Sequence, residues 1–79
     1  MKVQILGMGC PKCRLLEDHA RQAIQTTGIS AEIEKISSSD KIMEMGVMMT
    51  PALAIDGTVK SSGRVLSVEQ IAEILKAGK

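Results

Sequence analysis

Phenylalanine, tyrosine and tryptophan are all absent from this chain of 79 residues. Without them a core has to be filled by Ile, Leu, Val, Ala and the six Met, side chains that pack well but contribute less buried area each. The same gap excludes the usual way of holding single-stranded nucleic acid, which stacks bases on aromatic rings. Duplex binding would need a basic surface, and ten Lys and Arg against nine Asp and Glu leave a net charge of only +1. No nucleic-acid partner is expected. Long hydrophobic runs are missing as well. The start, Met1-Lys2-Val3-Gln4-Ile5-Leu6, meets Gly7 too soon for a signal-peptide core or a membrane span, which predicts a cytoplasmic protein with no membrane partner. Histidine occurs once, and His19 with two cysteines falls short of a four-ligand zinc site.

What is present is ordinary for a globular domain: 44% hydrophobic and 24% charged residues, which argues against disorder and against a collagen-like fibre. The length leaves no room for two cores, so residues 1–79 are expected to form one domain.

Periodicity and punctuation give the order of elements. Lys2 to Leu6 reads as a strand ending at Gly7. Pro11 suits the first position of a helix running to about Thr27, with Leu16, Ala20, Ala23 and Ile24 as its apolar stripe and Gly28 as its stop. Ile29, Ala31 and Ile33 alternate with Ser30, Glu32 and Glu34, the pattern of a half-buried second strand. Asp40 to Gly46 reads as a short helix, capped by Ser38 or Ser39, with Ile42 and Met45 inward. Ala52-Leu53-Ala54-Ile55 fits a central strand, and Asp56-Gly57 turns it antiparallel into Thr58-Val59-Lys60. Ser67-Val68-Glu69-Gln70 has the form of a capping box before a last helix that buries Val68, Ile71, Ala72 and Leu75 and ends near Gly78. The result is an α/β fold, β-α-β-α-β-β-α. Its first strands are parallel through right-handed crossovers and its last hairpin is antiparallel on the same sheet, a four-stranded mixed sheet with three helices.

The chemistry is carried by Cys10-Pro11-Lys12-Cys13, at the handover from first strand to first helix. A thiolate is the reactive form of cysteine, and the amides and partial positive charge of a helix N-terminus stabilise it; Pro11 fixes that start and Lys12 adds charge. Cys10, at the turn, would be the exposed nucleophile. Cys13, one turn in, would be buried and would resolve a mixed disulfide. Two other readings are open at this point. Met8-Gly9-Cys10-Pro11-Lys12-Cys13 also has the M-x-C-x-x-C form with which soft-metal carriers hold Cu(I), although those domains run β-α-β-β-α-β and end in a strand. The cysteines could also be small hydrophobes in a module that only binds partners.

Further residues resemble the thioredoxin-like superfamily, and more closely a family of very small archaeal and bacterial thioredoxin-like proteins often labelled redox-active disulfide protein 2. They are Gly7 to Cys13, Ile29 to Lys35, Met45 to Leu53, and Ile55-Asp56-Gly57 followed by Gly63. The resemblance covers nearly the whole chain and implies a minimal thioredoxin fold. It implies that Pro51, 38 residues after Cys13, is a cis proline beside the cysteine pair, and that the backbone of Thr50 pairs with an extended target segment. It implies an activity, thiol–disulfide exchange that reduces disulfide-containing target proteins. It further implies that Cys10–Cys13 is the redox-active disulfide, that no bound cofactor or metal is required, and that an upstream reductase of the thioredoxin-reductase kind regenerates the dithiol. A monomer is expected. One departure matters: Gln4 stands six residues before Cys10, where larger thioredoxins carry a buried acid that moves protons for the second thiol.

Met8, Gly9, Met49, Thr50 and Pro51 are the expected target-binding rim, with Met48 beside them, while Met43 and Met45 fit either the rim or the core. His19 is expected to be a solvated helix residue, and Glu32, Glu34 and Lys35 the exposed edge of a strand.

Overall fold

Strand β1 (Lys2–Leu6) lies at the centre of the sheet, and every other element is placed by what it pairs with or covers. The structure, a computed structural model, describes residues 1–9 and 11–77. Helix α1 (Pro11–Thr27) follows β1, then strand β2 (Glu32–Ile36), helix α2 (Ser39–Glu44), strand β3 (Ala52–Ile55), strand β4 (Thr58–Ser62) and helix α3 (Val68–Ala77). The sheet order is β2-β1-β3-β4. β1 runs parallel to β2, and β3 is antiparallel to both β1 and β4. This is the minimal thioredoxin fold anticipated from the sequence, and the order differs from the β-α-β-β-α-β of soft-metal carriers.

Strand alternation divides the core between the two faces of the sheet. Val3, Ile5, Leu53 and Ile55 point to the face covered by α1 and α3, where Leu16, Ala20 and Ala23 of α1 meet Ile71, Ala72 and Leu75 of α3. Leu6, Ile36, Ala52 and Ala54 point the other way and pack with Ile42 and Val47 beneath α2. All four residues of β3 are buried, as an apolar run inside a sheet covered on both faces requires. A register shift at Leu53/Ala54 bulges β4, the exposed edge.

Local signals place the helix ends. Pro11 opens α1, and Gly28, at φ 68°, closes it with its N–H on the Ile24 carbonyl at 3.0 Å. The box at α3 is reciprocal: the Gln70 N–H donates to the Ser67 hydroxyl at 3.1 Å and the Ser67 N–H to the Gln70 side-chain oxygen at 3.0 Å. Asp56 and Gly57 both have positive φ, 50° and 89°, as a two-residue hairpin of type I′ demands.

Four expectations need correction or limits. β2 begins at Glu32 rather than Ile29, because the ladder with β1 opens only where the Glu32 N–H reaches the Met1 carbonyl, at 3.0 Å. Ile29 and Ala31 still pack on the α1/α3 side, as approach to the strand rather than part of it. α2 spans Ser39–Glu44, with Ser38 at the N-cap position but no side-chain cap bond. Met43 is exposed and so fills no core, whereas Met45 packs against the α2 cluster. The expected end of α3 at Gly78 lies outside the described residues.

Candidate active site

The end of β1, the start of α1 and the segment before β3 converge at one edge of the sheet, where β1 ends and the antiparallel β3 begins. Leu6 pairs with Ala52, so the chain leaving β1 at Gly7 passes beside Pro51, whose peptide bond with Thr50 is cis. Cys13, in the first turn of α1, is 5% exposed and points back at Gly7. A Cβ at Gly7 would sit 2.2 Å from the Cys13 Sγ and 4.0 Å from the Cα of Pro51. The absence of a side chain at position 7 is therefore what lets the sulfur nest against the backbone between two strands. Gly7 itself is tied to β2, its N–H donating to the Ile36 carbonyl at 2.9 Å.

Beyond Gly7 the chain turns through Gly9, at φ 82°, a conformation that L side chains rarely adopt. Cys10 lies outside the described residues. Pro11 and Lys12 are exposed on the first turn of the helix. Met8 is exposed, and it shares with Gly9 and Cys13 a cavity of about 280 Å³ that is also lined by Arg14, Glu17 and Lys35. On the other flank Met48, Met49 and Thr50 are exposed while Pro51 is buried. Gly63 closes this flank. Its N–H donates to the Pro51 carbonyl at 2.9 Å, and a Cβ there would stand 3.2 Å from the Cβ of Met49. Gly7, Cys13 and Pro51 thus come together, Met8 and Gly9 line the cavity beside them, and Met49 and Thr50 stand at the surface before β3.

Glu17 is the residue that reading the sequence missed. A glutamate in mid-helix normally faces water, yet Glu17 is 8% exposed. Its carboxylate accepts a hydrogen bond from Arg21 one turn on, and Lys35 of β2 lies 3.3 Å from the other oxygen. The Arg21 hydrogen bond, aided by Lys35 and opposed by burial, holds the Glu17 carboxyl below the usual glutamate range. Lys35 is accordingly more than an exposed strand edge. The only hint in the sequence was the spacing of Cys13 and Glu17, which puts them on one helix face.

Gln4 takes no part in this cavity. It lies on the α2 side of the sheet, its amide nitrogen donating to Glu34 at 3.0 Å and its oxygen accepting from the Gly57 N–H at 2.9 Å. Gln4 therefore stitches β2 to the hairpin across β1. Glu34 also pairs with Lys2 at 3.5 Å, and the Gln4 hydrogen bond, followed by the Lys2 charge, lowers its carboxyl. His19 is not simply solvated: its Nδ1–H donates to the Leu66 carbonyl at 2.7 Å, tying α1 to the segment before α3. Among the described residues no group of three or more His, Cys, Asp or Glu side chains is arranged to hold a metal. Among the described residues no helix is long and apolar enough to cross a membrane.

Known proteins match the sequence over nearly its whole length. The thioredoxin domain family matches residues 1–76. A protein named thioredoxin from Methanothermobacter thermautotrophicus is 51% identical over 75 residues, covering 95% of this chain and 97% of its own. A second thioredoxin, from Methanocaldococcus jannaschii, is 39% identical over 75 residues, 95% of this chain and 86% of its own. A four-stranded mixed sheet with three helices, matched by family and by relatives over nearly its full length, establishes that the chain belongs to the thioredoxin-domain family, with a thioredoxin-like redox function.

Proposed function

We propose that the protein reduces disulfides in target proteins through the pair Cys10 and Cys13. The observation that carries this reading is the seating of the Cys13 sulfur against Gly7, in the first turn of α1 and beside Pro51. The thiolate of Cys10 attacks one sulfur of a target disulfide, forming a mixed disulfide and releasing the first target thiolate. Cys13 then attacks the Cys10 sulfur. The second target sulfur departs and takes up the proton that Cys13 gives up. Two electrons have passed to the target, and Cys10–Cys13 is left as a disulfide.

The helix N-terminus, Pro11 and Lys12 favour the thiolate at Cys10. Exposed Met8, Gly9, Met49 and Thr50 form the rim on which the target lies, and Thr50 offers its backbone to an extended target strand. Unbranched thioether side chains suit a surface that meets varied sequences. A reductase of the thioredoxin-reductase kind returns the disulfide to dithiol, and the single domain works as a monomer in the reducing cytoplasm.

A Cys13→Ser variant tests this reading, because it stops the sequence at the mixed disulfide. We expect it to accumulate disulfide-linked adducts with target proteins through Cys10, and Cys10→Ser to accumulate none. Equal adducts with both variants, or none with either, would contradict the reading.

A further inference from the structure

Glu17 is the only charged side chain that the fold buries among the described residues. It stands four residues after Cys13 in α1, so the two side chains are neighbours on one helix face. Both line the cavity bounded by Ile5, Gly7, Met8, Gly9 and Ser37. The charged groups around Glu17 are Arg14, Asp18 and Arg21 of its own helix and Lys35 of β2; β1 contributes only Ile5 to this cavity. Two cations therefore pair with a buried carboxylate, and Arg14 stands on the wall of the same cavity as the buried Cys13. Nearby cations favour a thiolate and a nearby carboxylate opposes one. Buried charges act more strongly than exposed ones, because less water screens them.

We propose that Glu17 is a positioning residue for exchange: its carboxylate engages Lys35 and Arg21 and keeps Cys13 a thiol in the reduced protein, leaving the thiolate to Cys10. This rests on Cys10 and Cys13 being the redox pair. Its consequence is for reducing power. Any thiolate stabilised in the dithiol state stabilises the reduced protein and makes the couple more oxidising. By suppressing ionisation at Cys13, Glu17 keeps the couple reducing. Lys35 acts in the opposite sense, since its charge offsets that of Glu17. The two residues form a balance, and changing either should move Cys13 in a direction set by the sign of the charge removed.

The test is the pH titration of the Cys13 ¹³Cβ resonance in the full chain carrying Cys10→Ser, which removes the competing thiol. Glu17→Gln, which keeps the size of the side chain and removes its charge, is expected to lower the midpoint by about 0.5 unit or more, roughly a threefold rise in thiolate below the midpoint. Lys35→Gln, at an exposed side chain that the fold does not need buried, is expected to raise it. A loss of packing alone would not shift the midpoint in opposite directions for the two variants. An unchanged or raised midpoint in Glu17→Gln, or a lowered one in Lys35→Gln, would overturn the proposal. In the chain with both cysteines, at a pH above its Cys13 midpoint, Glu17→Gln should lower the equilibrium constant for forming the Cys10–Cys13 disulfide against glutathione about threefold, and an unchanged constant there would also overturn it. If the parent chain formed no such disulfide, the functional reading would fail while the titration of Cys13 still decided the role of Glu17.

Discussion

A single missing methyl group shapes the candidate site. Cys13 can lie against β1 only because position 7 has no Cβ, and alanine there would demand a carbon 2.2 Å from the sulfur. Since Gly7 is held by its hydrogen bond to Ile36 and flanked by Pro51, the sulfur would have to move. Gly7→Ala is expected to cost about 1–3 kcal/mol of stability, as overpacking does, and to slow disulfide exchange more than that loss explains. Urea unfolding beside a disulfide-reduction assay measures both; an alanine variant with full activity would show that the sulfur does not need this seat. Gly9 differs, because nothing crowds it. Its requirement is the positive φ of 82°, and alanine there is expected to cost about 1–2 kcal/mol with little effect on packing. A thermal melt of Gly9→Ala checks this, an unchanged melting temperature being the contrary outcome. The glycines of the motif were legible as turn formers, but the contact of Gly7 with Cys13 was not, because it is made in space rather than in sequence. Glu17 was hidden for a related reason: only the position of β2, which brings Lys35 over α1, makes a mid-helix glutamate a buried one.

Elements were read well where several local signals agreed. In α3 the capping box and the apolar stripe point the same way, and the two cap hydrogen bonds form as the sequence suggests. Ser67→Ala should therefore lower stability by about 1 kcal/mol, and threonine should restore most of it; equal urea midpoints for serine and alanine would argue that the cap is idle. The strand β3 was equally clear from its unbroken apolar run. β2 was harder. Ile29, Ala31 and Ile33 do share a face, yet backbone pairing begins at Glu32, where the partner strand begins. Alternation reports which side a residue faces, not where the ladder starts. Ile36, buried on the opposite side under α2, shows the same limit, since an edge strand covered on both faces need not alternate cleanly. His19 reaches the Leu66 carbonyl across 47 positions, a tether that no local pattern records.

At the scale of the whole molecule, the absence of aromatic residues is met by dividing a small aliphatic core between two faces of the sheet. The α1/α3 face is well covered, while α2 is short and leaves Met43 and Met48 in solvent, Met48 at 96% exposure. Acid should weaken the fold with a definite sign. Glu17 and Glu34 both have carboxyls held below the usual range in the folded chain, so the folded protein binds fewer protons than the unfolded one as pH falls. Their contribution is complete above the ordinary glutamate value of about 4.3 and is lost as pH drops through the lower folded values. Glu17 should dominate, because Glu34 is half exposed and its pairs are screened. The unfolding free energy of the parent chain should thus decline from pH 5 to pH 3, and that of Glu17→Gln should decline less. Parallel pH profiles for the two would show that Glu17 does not contribute to acid sensitivity.

Disulfide exchange stands or falls with the behaviour of the two cysteines as a couple. The direct measurement is a redox titration of the full chain, with the dithiol and disulfide forms quantified by mass after alkylation. One two-electron transition, joining Cys10 to Cys13, is expected at a potential in the range of roughly −200 to −270 mV spanned by glutaredoxins and thioredoxin. Two cysteines that alkylate independently at every potential, with no Cys10–Cys13 disulfide formed, would contradict it.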